Sequence, residues 1–467
     1  MARDQQAFVP RLRALGFSGD GAAVKAQMLA ACDRALDRHG AAQAGRVSAW
    51  VPGRIEVFGK HTDYAGGRSL LTAVTNGFCV RAAPRTDRML RVLGAPVPDP
   101  LHPGGRAPEL HCEMPLDETA GAPDGDWSNY VATVVRRVTR NFPAAVHGVD
   151  IAFASDLPPA AGASSSSALM IGTFLAIAAI NRLPRTDTWR QVLPDRVALG
   201  GYLGAMEHGG SFGPLLGDAG VGTLGGCQDQ TAILCAEPGH VVDFGWMPVR
   251  RLGSYALPAD KCFVIAASGV VAEKSAGARA QYNRASLMVR HLLARWNDET
   301  GRDDHSLAVA AESGPGAIEV LRDVARTHAT EAFSADVLRM RLDQFLLETY
   351  TLIPAAAAAF AAQDWPALGA VTARSQEAAE EWLGNQVPET IALVRMARAS
   401  GATAASAFGA GFGGSVWALV DAGQASFEAR WASAYRQQFP VAGARAMFFR
   451  TAAGPAATTW ADDDPLT

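Results

Sequence analysis

The apolar positions of this chain change period along its length, and the changes outline its elements. In residues 1–45, Val24, Met28, Leu29 and Leu36 recur at roughly helical spacing and predict a helical lead-in. Apolar and alternating runs at 46–58 and 70–83, broken by glycine-bearing turns, predict strands. Residues 96–125 are rich in Pro, Gly and Asp and predict a loop excursion. Beyond it, 129–140 reads as a helix, 148–154 as an alternating strand and 156–165 as a loop of small residues. The run 166–181 is apolar on nearly every face, which predicts a buried helix too short to span a bilayer. A second glycine-rich stretch runs from 209 to 226.

The second half repeats the mixture. An apolar strand is predicted at 262–267, helices at 283–298, 305–328, 336–363, 366–382 and 390–399, and a strand at 415–420 after the glycine-rich 409–414. The residues after 453 are the one tract expected to lack order. Helices and strands in both halves predict an α+β fold of two domains, 1–235 and 236–467.

Composition narrows the class. A chain of 467 residues, 49% hydrophobic and 19% charged, has the length for two cores and the make-up of an ordinary globular protein. A net charge of −4 gives no reason to expect a nucleic-acid partner. The six cysteines show no C-x-x-C spacing, so they read as free thiols of a reducing cytoplasm. The opening Met1-Ala2-Arg3-Asp4 is not a signal peptide, and no membrane partner is expected.

Four segments carry candidate chemistry. Ser155-Asp156-Leu157-Pro158-Pro159-Ala160-Ala161-Gly162-Ala163-Ser164-Ser165-Ser166-Ser167-Ala168 leads from a strand into the buried helix. Tiny side chains let backbone N–H groups approach an anion there, at the positive end of a helix. A Walker loop is excluded, because no G-x-x-x-x-G-K-[ST] is present. Pro52-Gly53-Arg54-Ile55-Glu56-Val57-Phe58-Gly59-Lys60-His61-Thr62-Asp63-Tyr64-Ala65-Gly66-Gly67 packs polar groups densely after an apolar strand, as hydroxyl recognition needs. Gly225-Gly226-Cys227-Gln228-Asp229-Gln230 sets an Asp at a glycine-to-helix junction, where it either caps the helix or takes a proton from an attacking hydroxyl. Gly409-Ala410-Gly411-Phe412-Gly413-Gly414 is either a tight turn or a close backbone approach to a ligand.

Together and in this order, the four segments resemble the galactokinase family of the GHMP kinases. Trp127-Ser128-Asn129-Tyr130-Val131, Tyr282-Asn283-Arg284 and Pro388-Glu389 add to the likeness, which spans residues 50–450. The resemblance implies an N-terminal domain like ribosomal protein S5 domain 2, a ferredoxin-like C-terminal domain and an active site between them. It implies an ATP- and Mg2+-dependent kinase acting on a small-molecule sugar, galactose going to galactose 1-phosphate. Residue by residue, it makes Asp229 the catalytic base and Arg54 the cationic partner that orients it. Lys60, His61, Asp63, the backbone of Gly226 and Tyr282 would hold the sugar. Gly162, Ser164, Ser165 and Ser166 would surround the phosphates, Ser166 and Glu207 would ligate Mg2+, and Gly411 and Gly413 would close the floor.

The pattern departs in places. Lys60 and Glu56 stand where the family usually has Glu and Asn, and a lysine there suggests either an acidic sugar such as galacturonate, or a side chain turned away or paired with Glu56. Ala160 and Ala163 replace the more common Gly and Leu. Residues 213–222 look inserted between Glu207 and Asp229, and Cys227-Gln228 replaces Ile-Met. A non-catalytic sugar sensor is the competing class; Arg54, Asp229 and a full serine-rich loop argue against it.

Overall fold

The computed structural model describes residues 2–96, 110–123, 125–157, 162–270 and 276–466; Ala160 lies outside them. Strands Val47–Phe58 and Arg68–Pro84 form a long antiparallel pair at the centre of an eight-stranded sheet. Val149–Ser155 joins antiparallel to Arg68–Pro84, Met89–Gly94 runs parallel to Val149–Ser155, and His111–Pro115 closes that edge. This last strand lies within the stretch expected to be a loop.

Alternation sorts the sheet's two faces. Trp50, Cys79, Ala83 and Ala152 face the helical lead-in, Ala2–Ala14 and Gly19–Arg38. Val51, Val80 and Ile151 face the helix Ser165–Ile180. A sheet covered on both faces accounts for strands that read as nearly continuous apolar runs. The lead-in helix starts where Ser18 accepts a hydrogen bond from Gly21 N at 3.1 Å, an N-cap.

The smaller sheet is antiparallel and four-stranded. Its strands, in chain order Lys261–Ala267, Ala404–Phe408, Ser415–Asp421 and Met447–Thr451, lie in the spatial order fourth, first, third, second. That is the ferredoxin-like arrangement. Pro388–Ala399 and Phe427–Gln438 cover one face through Leu393, Val394, Phe427 and Trp431. The other face, with Phe263, Ile265 and Trp417, merges with the main core beside Ile353 and Phe360.

The helices of 276–347, between the first and second strands of this sheet, form a separate cluster that packs against Ala65 of the first half. Two helices are continued by π turns: Ala335–Leu347 passes through Glu348–Leu352 into Ile353–Ala362, and Trp365–Ala378 ends in Ala379–Leu383. By length and hydropathy 335–362 is apolar enough to cross a membrane, yet over half of its most apolar stretch is buried in the protein and it carries the fully buried Arg341 and Glu348, as a core helix does.

Two expectations need correction. Strands His240–Gly245 and Arg250–Ala256 extend the first sheet through Arg68–Pro84, so the first domain runs past 235. The tail after 453 is ordered: Thr458–Trp460 pairs with Val47–Phe58, Trp460 packs on Phe8, and Arg196 donates to the carbonyls of Ala457 and Leu466. Its short, polar sequence hid a strand that is stabilised by its neighbours rather than by its own propensity. Deleting residues 458–467 uncovers the edge of Val47–Phe58, and differential scanning fluorimetry should show a melting temperature several degrees lower and more aggregation on heating.

Candidate active site

A cleft of about 340 Å3 lies where the two halves meet, and all four chemical segments reach it. Its walls include Arg54, His61, Asp63, Gly162, Ser164, Ser165, Ser166, Glu207, Gly226, Asp229, Tyr282, Gly411 and Gly413, so thirteen of the fourteen residues singled out in the sequence converge.

At the centre is Asp229, in the first turn of the helix Gln228–Cys235. Arg54 Nε donates to its Oδ1 at 2.7 Å, and Ser164 Oγ donates to its Oδ2. Arg54 also donates from Nη1 to Gly162 O at 2.7 Å, and its backbone N–H donates to Ala163 O at 3.2 Å. Burial works against the Arg54 charge, but Asp229, Glu56 and Glu207 outweigh it and hold the guanidinium pKa above its ordinary value.

Ser164 sits at the N-cap of Ser165–Ile180 in a left-handed conformation, φ 58°. Its hydroxyl does not cap the helix; it turns to Asp229 instead. The first-turn amides, which have no acceptor within a helix, are thus left without a side-chain cap from Ser164, and Ser164, Ser165 and Ser166 line the cleft. Gly162 is also left-handed, φ 65°, and a Cβ there would meet Ser415 N at 3.3 Å.

The loop after Val47–Phe58 is held mostly from the second half of the chain. His61, at φ 58°, pairs through Nδ1 with Tyr64 OH at 2.8 Å and through Nε2 with Ala410 O at 3.1 Å. Since a carbonyl only accepts, Nε2 carries the proton and Nδ1 accepts from the tyrosine. Burial, with Arg341 nearby, brings the imidazole pKa down to about 4, so the ring is neutral at physiological pH. Arg341 Nη2 donates to His61 O at 2.6 Å. Asp63 accepts from Gln228 N at 3.2 Å, and burial raises its pKa. A Cβ on Gly226 would lie 2.3 Å from Asp63 Oδ2, so only glycine lets these two segments meet. His61 and Ser164 are non-glycine residues with positive φ on the cleft wall, and Phe412, between two lining glycines, is a third. Such strain persists only where the surroundings enforce it.

Lys60 is the exception among the expected residues. It is 1% exposed and points into the protein, where Nζ donates to Ser375 Oγ and Ser406 Oγ at 3.1 and 2.9 Å. Of the two readings its sequence position allowed, the side chain is turned away. Glu56 faces the cleft in its place. The signal for this was available: two residues after Arg54 on an extended strand, it shares Arg54's face. Gln228 Nε2 donates to its Oε2, while Oε1 has no partner. Tyr130, His208, Val221 and Thr223 also line the cleft, Val221 from the inserted stretch and Thr223 from just beyond its end. Asn283 holds that stretch, accepting from Leu224 N at 2.8 Å and donating to Gly222 O at 3.2 Å.

Glu207 is 8% exposed and accepts from Ser167 Oγ at 3.0 Å and Gln230 Nε2 at 2.6 Å. Among the described residues, no cluster of three or more His, Cys, Asp or Glu forms a protein-only metal cage. All six cysteines are free.

Known proteins share this plan. Residues 129–208 match the GHMP kinases N terminal domain and residues 356–437 the GHMP kinases C terminal, which makes the chain a GHMP kinase. Residues 37–84 match the galactokinase galactose-binding signature, and the chain belongs to the galactokinase family. It is 26% identical over 378 residues to the galactokinase of Roseiflexus sp. (strain RS-1), covering 79% of this chain and 82% of that protein. The galactokinase of Streptomyces coelicolor is likewise 26% identical over 378 residues, covering 80% and 84%. The crystal structure of Lactococcus lactis galactokinase complexed with galactose superposes with a TM-score of 0.69 at 21% identity, covering 92% of this chain and 98% of that one.

Burial lifts the Glu56 carboxyl from an ordinary glutamate value up to about 7; Asp229 adds to this, and Arg54 and Lys60 oppose it. Between pH 4.5 and 7 the folded protein keeps a proton that the unfolded chain releases, so this group lowers stability as pH rises, by about 3 kcal/mol at full effect. The melting temperature of Glu56→Gln should therefore fall less between pH 5 and 8 than that of the unmodified protein. Equal pH profiles for the two would show that Glu56 does not titrate in this range.

Proposed function

We propose that this protein transfers the γ-phosphoryl group of ATP to the anomeric hydroxyl of galactose, giving galactose 1-phosphate and ADP. The observation that carries this reading is Asp229, fixed by Arg54 and Ser164 between the serine loop and the loop bearing His61 and Asp63. The galactose-binding signature and the galactokinase relatives support galactose as substrate.

In this reading neutral His61, Asp63, the backbone of Gly226 and Tyr282 hold the sugar, supplying a fixed set of donors and acceptors for its hydroxyls. Asp229 takes the proton from the attacking hydroxyl. Arg54 keeps the carboxylate in one orientation and then stabilises the charge arriving on the transferring group. The amides of Ser165 and Ser166, with Gly162 and Ser164, receive the phosphates at the positive end of the helix. Gly411 and Gly413 close the floor with backbone alone. The arrangement works by positioning and by fixed dipoles, as phosphoryl transfer requires.

Among the described residues lining the cleft, the acidic ones are Glu56, Asp63, Asp126, Glu207 and Asp229, and Arg54 is the only Lys or Arg. A triphosphate enters such a field only with its own charge neutralised. Ser166 and Glu207 suit Mg2+, which takes one or two protein oxygens and completes its shell with phosphate and water. When bound, the ion would neutralise phosphate charge. The same field disfavours an acidic sugar, since Arg54 is already committed to Asp229. Free thiols fit a reducing, cytoplasmic setting.

A coupled ADP-release assay with Mg·ATP tests the reading on galactose, galacturonate, glucose, arabinose and fucose. Turnover on galactose is expected, and silence on every sugar with ATP binding intact would replace the kinase with a sensor. Asp229→Asn should lower kcat by about 10²–10⁴-fold while calorimetry still detects galactose. Undiminished turnover would remove Asp229 from the chemistry. In Gly226→Ala, displacement of Asp63 should raise the KM for galactose by about tenfold or more, leaving that for ATP close to normal.

A further inference from the structure

Lys60 belongs to a segment that otherwise faces the cleft, yet it closes a ring inside the protein. Its ammonium donates to Ser375 Oγ at 3.1 Å. The Ser375 hydroxyl donates in turn to both oxygens of Glu348, at 3.0 and 2.9 Å. Glu348 accepts from the backbone N–H of Gly59 at 3.0 Å, which returns the chain of bonds to the residue before Lys60. Lys60, Glu348 and Ser375 are at most 2% exposed. A hydroxyl has one proton to give and lone pairs to accept with, so Ser375 can join an ammonium to a carboxylate.

The ring joins separate elements. Glu348 opens the π turn Glu348–Leu352, Ser375 lies on Trp365–Ala378, and Ser406, the second acceptor of Lys60, lies on the strand Ala404–Phe408 that runs into the glycine loop 409–414. Gln344 Nε2 adds a bond to Lys60 O at 3.2 Å. Charges buried this deeply are costly unless each is compensated, and removing one leaves the other uncompensated. We infer that Lys60 and Glu348 form a buried, serine-bridged ion pair that positions the loop carrying His61 and Asp63, with Lys60 making no contact with the sugar.

The inference rests on the reading that this loop holds the sugar, and the test separates the two. Four proteins are compared: the unmodified chain, Lys60→Met, Glu348→Gln and the double variant. Each single variant should melt lower and raise the KM for galactose by about tenfold, with the KM for ATP within about twofold. The double variant should recover much of both losses, because it removes both charges together. Should a single variant fail to fold, recovery of soluble protein in the double variant is the same coupling. Additive losses, or an unchanged KM for galactose in Lys60→Met, would overturn the inference. So would selective loss of galacturonate turnover in Lys60→Met, which would make the lysine a reader of substrate. If the unmodified chain phosphorylates no sugar, the functional reading falls, and the melting temperatures of the four proteins still decide whether the pair exists.

Discussion

A single buried guanidinium ties together three segments that are far apart in the chain. Arg54 comes from the central strand, holds Asp229 from the helix Gln228–Cys235, and takes the carbonyl of Gly162 in the serine loop. None of these contacts is local, so the site exists only once the first sheet has formed and Ser165–Ile180 has packed against it. The guanidinium also gains from its planar fork: Nε and Nη1 address two different acceptors at fixed angles, which a lysine could not do. Because it is 4% exposed, its charge is little screened and acts strongly on the carboxylates around it.

Around that centre the two halves have different tasks. In the proposed function the first supplies the groups that receive phosphate and take the proton. The second supplies mostly the grip. Arg341, Gln344, Glu348 and Ala410 all bond to residues 59–61. The loop bearing His61 and Asp63 is thus built on one half and shaped by the other, so its geometry depends on how the halves meet. The π turn at Glu348–Leu352 belongs to this logic: a widened turn in a core helix costs backbone regularity, and such turns recur at functional sites.

Much of this was legible in the sequence because glycine and small-residue loops between strong strands and helices have few structural uses. The α+β class follows from the mixed helix and strand patterns, while the ferredoxin-like second sheet and the thirteen cleft residues came with the family resemblance that these loops carry. What escaped was decided by side-chain direction. Lys60 lies next to His61, and nothing in a linear pattern says that one points to the cleft and the other to Ser375; a left-handed backbone at His61 makes the difference. Glu56 escaped for the opposite reason, being read as the departure of one residue from a family pattern rather than as the neighbour of Arg54 on one strand face. Thr458–Trp460 escaped because a three-residue strand carries almost no periodicity and is fixed by pairing with Val47–Phe58.

The electrostatics of the cleft follow from the same placements. With Lys60 withdrawn into the core, Arg54 is the only Lys or Arg among the described residues lining the cleft, beside five acidic ones. A neutral polyol gains hydrogen bonds from such a wall without bringing charge of its own, whereas a uronate would add a carboxylate to a field that is already negative. Under the proposed function, the withdrawn lysine holds the loop bearing His61 and Asp63 from behind, and leaves Arg54 as the only Lys or Arg among the described residues lining the cleft.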